Sequence, residues 1–256
     1  MINIASPVIE EEERRAVNEV IESGMLAQGP KVAELEESWA KYCGVKHALA
    51  VNSGTAAIHC ALYAAGVGEG DEVITTPYSF IATINPILML GARPVLVDID
   101  EETFNIDVSK IEAAITDKTK AIIPVDLYGQ PCDWKELREI ADKHELKIIE
   151  DACQAIGAEY DGVKTGALGD FGCFSLYATK NIMCGEGGVV TTNSDDAAAA
   201  IRSFRQHGMT SSYEYADLGY NYRMSDLHGA IAVEQLKKVE DFTNRRQHNA
   251  NMLNEA

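Results

Sequence analysis

A regular alternation of short apolar strands with helical segments, beginning near His47, constrains the fold more than any other feature of this sequence. Apolar runs predict strands at 48–51, 72–75, 94–97, 121–125 and 147–149, and helical spacing predicts helices at 55–65, 79–90, 109–115 and 134–143. Parallel strands need crossover connections, which are usually helices. The sequence therefore predicts an α/β protein whose mostly parallel sheet is covered by helices on both faces.

Helical spacing also predicts two helices before the sheet, within residues 8–23 and 31–43. The segment that joins them, residues 24–30, is bounded by glycine and contains Met25 and Leu26. It is either a plain helix connection or a flap over a ligand. At the other end of the chain, the residues from Ser225 onward predict one long amphipathic helix.

Composition excludes several classes of partner. The formal charge of −18 argues against binding to nucleic acid or to an anionic membrane, which both require basic surface. No stretch of about 18 uncharged apolar residues is present, and the first residues lack the pattern of a leader, so a cytoplasmic protein is expected. The six cysteines form no CxxC pair and the six histidines form no cluster. Reduced cysteines and no metal site are therefore expected.

Polar residues follow the predicted strands, at the edge where parallel sheets bind ligands. Ser53, Gly54 and Thr55 follow the first strand and open a helix, whose N-terminus suits a phosphate, although a serine there is often only an N-cap. The segment 77–80, PYSF, follows the second strand and places an aromatic ring beside the site. The alternative is that this ring only packs in the core.

A carboxylate and a lysine complete this edge. Side-chain alternation puts Glu150 and Asp151 on opposite faces, and we expect Asp151 to face the site unless it only caps a helix. A predicted strand at 171–176 carries Ser175 near its end, and Lys180 follows it. A glycine-rich turn and a further strand, at 189–192, come next. A lone lysine is usually an exposed loop residue, but Lys180 lies among candidate site residues.

Together, these groups are what pyridoxal 5'-phosphate (PLP) requires. The lysine forms a Schiff base, the carboxylate keeps the pyridine nitrogen protonated, and the helix N-terminus holds the phosphate. Each element alone is weak evidence, but their order along one α/β chain is specific. PLP is therefore the expected cofactor.

The chain resembles a known family over nearly all of its residues. The motifs that carry the resemblance are GMLAQGPKVAELEESWAKYCGVKHALAVNSGTAAIHCAL, TTPYSFIATINPIL, KIIEDACQAIGAEYDG, FSLYATKNIMCGEGGVV and GYNYRMSDLHGAIAVEQL. They are similar to those of the DegT/DnrJ/EryC1/StrS aminotransferases. These are PLP-dependent transferases of fold type I, the aspartate aminotransferase fold, and they act on nucleotide-linked keto-sugars.

The resemblance implies a role for each matching residue. Lys180 looks like the lysine that binds the cofactor covalently, Asp151 like the partner of the pyridine nitrogen, and Gln154 like a neighbour of the ring oxygen. Phe80 resembles the aromatic that stacks on the ring. Phosphate and other cofactor contacts are implied for Ser53, Gly54, Thr55 and Ser175, and a contact across a dimer interface for Asn221.

The resemblance also implies domains, substrates and an assembly. Residues 1–224 would form the PLP-binding large domain, with the helices within 8–43 at its start, and 225–256 would be a helix leading toward a C-terminal small domain that this chain ends before completing. Transfer of an amino group from glutamate to a nucleotide-linked keto-sugar by a homodimer with shared active sites is expected. One alternative is a sugar dehydratase, which Lys180 disfavours because that branch carries histidine there. A truncated, non-catalytic binding or regulatory protein is the other.

Overall fold

The computed structural model describes residues 6–255, which are organised around one seven-stranded sheet. All of its strands run in one direction except β9, which is antiparallel to both of its neighbours. The strands of the sheet are β1 (His47–Val51), β2 (Glu72–Thr75), β3 (Arg93–Leu96), β4 (Thr119–Ile122), β5 (Lys147–Asp151), β8 (Phe171–Ser175) and β9 (Gly188–Thr192), in the order β1-β9-β8-β5-β4-β2-β3. Two small hairpins lie outside it: β6 (Glu159–Tyr160) with β7 (Val163–Lys164), and β10 (Met209–Ser211) with β11 (Glu214–Tyr215).

Helices surround this sheet. They are α1 (Glu11–Ser23), α2 (Pro30–Cys43), α3 (Gly54–Ala64), α4 (Asn85–Met89), α5 (Trp134–Lys143), α6 (Asp195–Phe204), α7 (Asp226–Lys237) and α8 (Val239–Glu255). Single 3₁₀ turns lie at Ile81–Thr83, Val108–Lys110, Glu112–Ala114 and Leu127–Gly129.

The sheet is buried on both faces, as its strand β1 shows. Leu49 and Val51 join a core with α3 and α6, whereas Ala48 and Ala50 join a core with α2 and α7 on the opposite face. The period-2 alternation of a strand sends successive side chains to opposite faces, so both faces need apolar residues. The predicted α/β class, with a mostly parallel sheet covered on both faces, is confirmed.

Two predicted helices are much shorter than their sequence pattern suggested. The segment 79–90 forms only the turn Ile81–Thr83 and the short α4, because Pro86 has no N–H to donate to the Ala82 carbonyl of a continuous helix. The segment 109–115 forms two 3₁₀ turns, at Val108–Lys110 and Glu112–Ala114, because so short a segment gains too few hydrogen bonds to offset helix nucleation.

The prediction of one long helix from Ser225 is wrong at Lys238. There α7 ends, since the Lys238 N–H donates to the Gln235 carbonyl in a tighter turn. The Lys238 ammonium group also pairs with Glu13, at 2.8 Å, and so ties the break to α1. Helix α7 is buried in the core with α2, whereas only Val239 of α8 is buried. The predicted domain division at residue 225 stays a prediction.

The connection between α1 and α2 is fixed by a single side chain. Asp226, at the start of α7 and only 2% exposed, accepts hydrogen bonds from the backbone N–H groups of Gly29 (2.8 Å), Lys31 (3.1 Å) and Val32 (2.9 Å). Its own N–H donates to the Ala27 carbonyl. The segment 24–29 is therefore anchored to the first turn of α7.

Candidate active site

One cavity, of about 510 Å³, lies at the carboxyl ends of β1, β2, β4, β5 and β8. Its size is ordinary for a small-molecule site. Eight of the nine predicted site residues line it, and Asn221 does not: the eight are Ser53, Gly54, Thr55, Phe80, Asp151, Gln154, Ser175 and Lys180. Residues 24–29 do not line it either, so within this chain that segment is no flap over this cavity.

The first turn of α3 is held against the ends of two strands. A Cβ on Gly54 would lie 2.8 Å from the Ser175 Cβ, and one on Gly188 would lie 2.3 Å from the Ser53 carbonyl oxygen. Only glycine fits at such distances, so the Gly54 backbone packs directly on the Ser175 side chain and the Gly188 backbone directly on the backbone of Ser53. The Ser53 hydroxyl accepts the Ala56 N–H at 3.1 Å and is thus an N-cap as well as a wall of the cavity. The positive end of the α3 dipole faces this space.

Asp151 presents a buried carboxylate to the cavity. It is 4% exposed, and its oxygens accept the Thr83 hydroxyl at 2.8 Å and the Cys153 N–H at 3.2 Å. The Ser79 and Thr83 hydroxyls are themselves linked at 2.9 Å. Within residues 6–255, Asp151 forms no ion pair with a lysine, arginine or histidine. A buried carboxylate of this kind is well suited to a cationic N–H of a ligand.

Lys180 lies where three cavities meet. Besides the first, it lines one of about 460 Å³ with Tyr128 and Asn181, and one of about 300 Å³ beside α8. Its backbone N–H donates to the Tyr177 carbonyl at 2.9 Å, which turns the loop after β8. The part of the chain that the structure describes supplies neither a hydrogen bond nor an ion pair to its Nζ. The amine is therefore available to a ligand.

Behind Asp151, on the other face of β5, two carboxyl groups are buried together. Glu150 accepts the Gly166 N–H at 2.7 Å, and Asp126 accepts the Cys132 N–H at 2.9 Å. Burial and the neighbouring Asp126 raise the pKa of Glu150 well above its usual range. Burial raises the pKa of Asp126 to about 6. The expected opposition of Glu150 and Asp151 across the strand is thus what the structure has.

No sequence pattern marks several of the lining residues, notably Thr83, Cys153 and Tyr177. Thr83 lies within the predicted helix 79–90, and its contact with Asp151 is a tertiary one that no local pattern marks. Cys153 and Tyr177 lie within three residues of predicted site residues, so proximity along the chain was the one available signal. Among the predicted residues, Gln154 accepts the Tyr128 N–H at 3.2 Å, and Phe80 lies at the rim, 71% exposed.

Asn221 lies outside the cavity of its own chain. It is exposed, and its backbone carbonyl accepts the Asn52 side-chain N–H at 3.3 Å, next to Ser53. Its side chain lines none of the three cavities that meet at Lys180.

The model of the DegT/DnrJ/EryC1/StrS aminotransferase family matches residues 7–256 of this sequence. The chain belongs to this family. The family and its cofactor are therefore those predicted from the sequence: the sugar aminotransferases among the relatives are PLP-dependent enzymes of fold type I.

Three relatives illustrate the similarity. The GDP-perosamine synthase of Caulobacter vibrioides is 46% identical over 249 residues, which are 96% of this chain and 67% of that protein. The PLP form of the putative sugar aminotransferase Spr1654 from Streptococcus pneumoniae has a TM-score of 0.93 at 32% identity, over 98% of this chain and 70% of that one. A GDP-4-keto-6-deoxymannose-3-dehydratase (ColD) mutant with bound GDP-perosamine has a TM-score of 0.94 at 31% identity, over 98% of this chain and 72% of that one. The chain thus spans about two thirds of the length of the proteins it matches.

The site also fits the cofactor that the family uses. The buried Asp151 carboxylate without a cationic partner suits a pyridinium N–H, the α3 N-terminus suits a phosphate, and the Lys180 amine is available. Within residues 6–255, no group of three or more histidine, cysteine, aspartate or glutamate side chains is arranged to hold a metal ion. None of the helices in this range is both long and apolar enough to cross a membrane.

Proposed function

We propose that this chain is the cofactor-binding part of an aminotransferase that converts a nucleotide-linked keto-sugar to an amino-sugar. The observation that supports it most is the meeting of Asp151, the α3 N-terminus and an available Lys180 amine in one cavity. When bound there, PLP supplies a ring that accepts negative charge from the substrate's reacting carbon.

Different residues of the chain have different roles in the proposed transamination. Asp151, oriented by the Thr83 hydroxyl and the Cys153 N–H, holds a proton on the pyridine nitrogen. Ser53, Gly54, Thr55 and Ser175, which line the cavity at the start of α3, would hold the phosphate. Phe80 and Gln154 would contact the ring. Lys180 Nζ would move the proton between the substrate's reacting carbon and C4' of the cofactor.

The substrates are proposed from the relatives' names. A GDP-perosamine synthase at 46% identity supports a nucleotide-linked sugar as the amino acceptor. A spore coat polysaccharide biosynthesis protein at 45% identity supports a role in polysaccharide or glycoconjugate synthesis. Glutamate is the donor that we propose. The similarity to a dehydratase makes that reaction the second candidate. Lys180 favours transamination, because an amine at this position can return the proton.

We propose that the protein is cytoplasmic. All six cysteines are free, and a reducing compartment keeps cysteines in that state.

We also propose a homodimer with shared active sites. Asn221 is exposed outside its own cavity, and Phe80 and Tyr177 are exposed at the cavity rim, 71% and 46%, which leaves apolar surface for a partner to cover.

Two substitutions test the proposed roles. Lys180→Ala should abolish transamination and the visible absorption of bound PLP, whereas Lys135→Ala, an exposed lysine on α5, should change neither. Asp151→Asn should keep PLP bound but lower kcat by about two orders of magnitude or more, since a neutral amide cannot hold the ring nitrogen protonated. Normal turnover of Lys180→Ala would refute the function.

The dimer has a separate test. Differently tagged Lys180→Ala and Asn221→Ala chains are mixed after their exchange has been demonstrated by pull-down. A hybrid dimer contains one site with both wild-type residues, so activity should return. If Asn221→Ala alone is impaired, yet the exchanged mixture stays inactive, Asn221 does not act across the interface.

A further inference from the structure

The cavity of about 300 Å³ between α8 and the Lys180 loop has an unusual charge for this protein. Among the residues that the structure describes, it is lined by three cations, Lys180, Arg245 and Arg246, and by no aspartate or glutamate. The whole chain carries 40 acidic against 22 basic residues, so a cationic cavity runs against its average. Such a local reversal of charge favours an anionic ligand.

Helix α8 presents one continuous face to this cavity. Phe242, Arg245, Arg246 and Asn249 all line it, and their spacing of three and four residues places them on one side of a helix. The opposite wall is the loop with Lys180 and Asn181. Two arginines, one lysine and three amide residues, Asn181, Gln235 and Asn249, therefore line one space, and their side chains are donors that suit the oxygens of a phosphate or carboxylate.

The arginines are not neutralised by neighbours. Arg245 has only an exposed carboxylate, Asp241, at 3.7 Å, and such pairs contribute little. Arg246 forms no ion pair within the described residues 6–255. The buried carboxylate on α1, Glu13, is already paired with Lys238 and accepts the Gln235 amide at 2.7 Å. The positive charge is therefore directed to the cavity and solvent.

We propose that this cavity is a substrate subsite in which Arg245 and Arg246 bind an oxyanion while Lys180 reaches the reacting carbon. The inference rests on the proposed function, because it takes Lys180 as the group that acts on substrate. The ligand is a group of anionic oxygens: either the diphosphate of the nucleotide-sugar or a carboxylate of the amino donor. The shared position of Lys180 in both cavities connects the two sites.

The test measures binding directly, by isothermal titration calorimetry on the PLP-loaded protein. GDP carries phosphates but no carboxylate, and 2-oxoglutarate carries carboxylates but no phosphate. Arg245→Gln and Arg246→Gln should each lower the affinity for one of the two ligands about tenfold or more, as expected for loss of a charge-assisted hydrogen bond. Arg202→Gln on α6 makes the same charge change at an exposed position and should leave both affinities unchanged.

The outcome identifies the source of the oxyanion. Weaker GDP binding alone assigns the subsite to the nucleotide-sugar, and weaker 2-oxoglutarate binding alone assigns it to the donor. Unchanged binding of both, or wild-type protein that binds neither, would overturn the subsite. The visible PLP spectrum of each variant is recorded in parallel. A normal spectrum with unchanged binding rejects the subsite only, whereas a wild-type protein that binds no PLP rejects the proposed function itself.

Discussion

Asp226 offers a sharp test of how the chain is held together, because one buried carboxylate accepts three backbone N–H groups from another part of the sequence. Asp226→Ala would leave the Val32 N–H buried without a partner, while those of Gly29 and Lys31 are partly buried and can regain water. An unpaired buried donor costs about 1–3 kcal/mol, and loss of the charge at the α2 N-terminus adds about 0.3–1 kcal/mol. We therefore expect a loss of about 3 kcal/mol in the free energy of unfolding.

Asp226→Asn should have an intermediate effect. Its carbonyl oxygen can still accept the Gly29 and Val32 N–H groups, which both bond to Oδ1, but its amide would face the Lys31 N–H. The loss should be about 1–2 kcal/mol. Asp196→Ala is the matched control, since Asp196 is an exposed acid in the first turn of α6. It removes a similar interaction with a helix dipole but no long-range hydrogen bond.

Urea denaturation measures these differences as shifts of the transition midpoint at constant slope. The expected order of stability is wild type and Asp196→Ala, then Asp226→Asn, then Asp226→Ala. A midpoint for Asp226→Ala that equals that of Asp196→Ala would refute the view that this carboxylate anchors the segment 24–29 and the start of α2.

Three further predictions concern buried groups. Burial lowers the pKa of His59 to about 4, so the wild-type protein should lose about 3 kcal/mol of stability from this group as pH falls from 6.5 to 4. Urea titrations of His59→Gln should not show this loss. Burial raises the pKa of Asp126 to about 6, so the stability that the protonated Asp126 carboxyl gives the folded state is lost as pH rises from 3.8 through 6. Asp126→Asn, which keeps an oxygen for the Cys132 N–H, should therefore gain stability relative to wild type across that range. Gly188→Ala should displace Ser53, cost about 1–3 kcal/mol and weaken PLP binding measured by absorbance, whereas Gly68→Ala, with open space around it, should do neither.

The sequence predicts that the candidate site residues lie close together, whereas it does not predict the lengths of the helices around them. Ser53, Asp151 and Ser175 come at the ends of strands, and the carboxyl ends of parallel strands meet at one edge, so their convergence follows from periodicity and order alone. The antiparallel direction of β9 does not follow from periodicity, because a strand has the same period of two in either direction. That direction places Gly188, its first residue, against Ser53.

The remaining differences have tertiary causes. The contact of Thr83 with Asp151 joins residues 68 positions apart, and local spacing carries no information about it. The break at Lys238 has neither glycine nor proline to mark it, and the pairing with Glu13 that accompanies it lies on a helix at the other end of the chain. Propensity predicts a continuous helix in such a case, and packing decides otherwise.

We propose that Lys180 is the residue that holds PLP. The most direct measurement is reduction of the PLP-loaded protein with borohydride, followed by proteolysis and mass spectrometry of the labelled peptide. We expect a pyridoxyl group on Lys180 alone, and none on that peptide when Lys180→Ala is treated in the same way. A label on any other lysine, or wild-type protein that takes up PLP and yet carries no label after reduction, would contradict it.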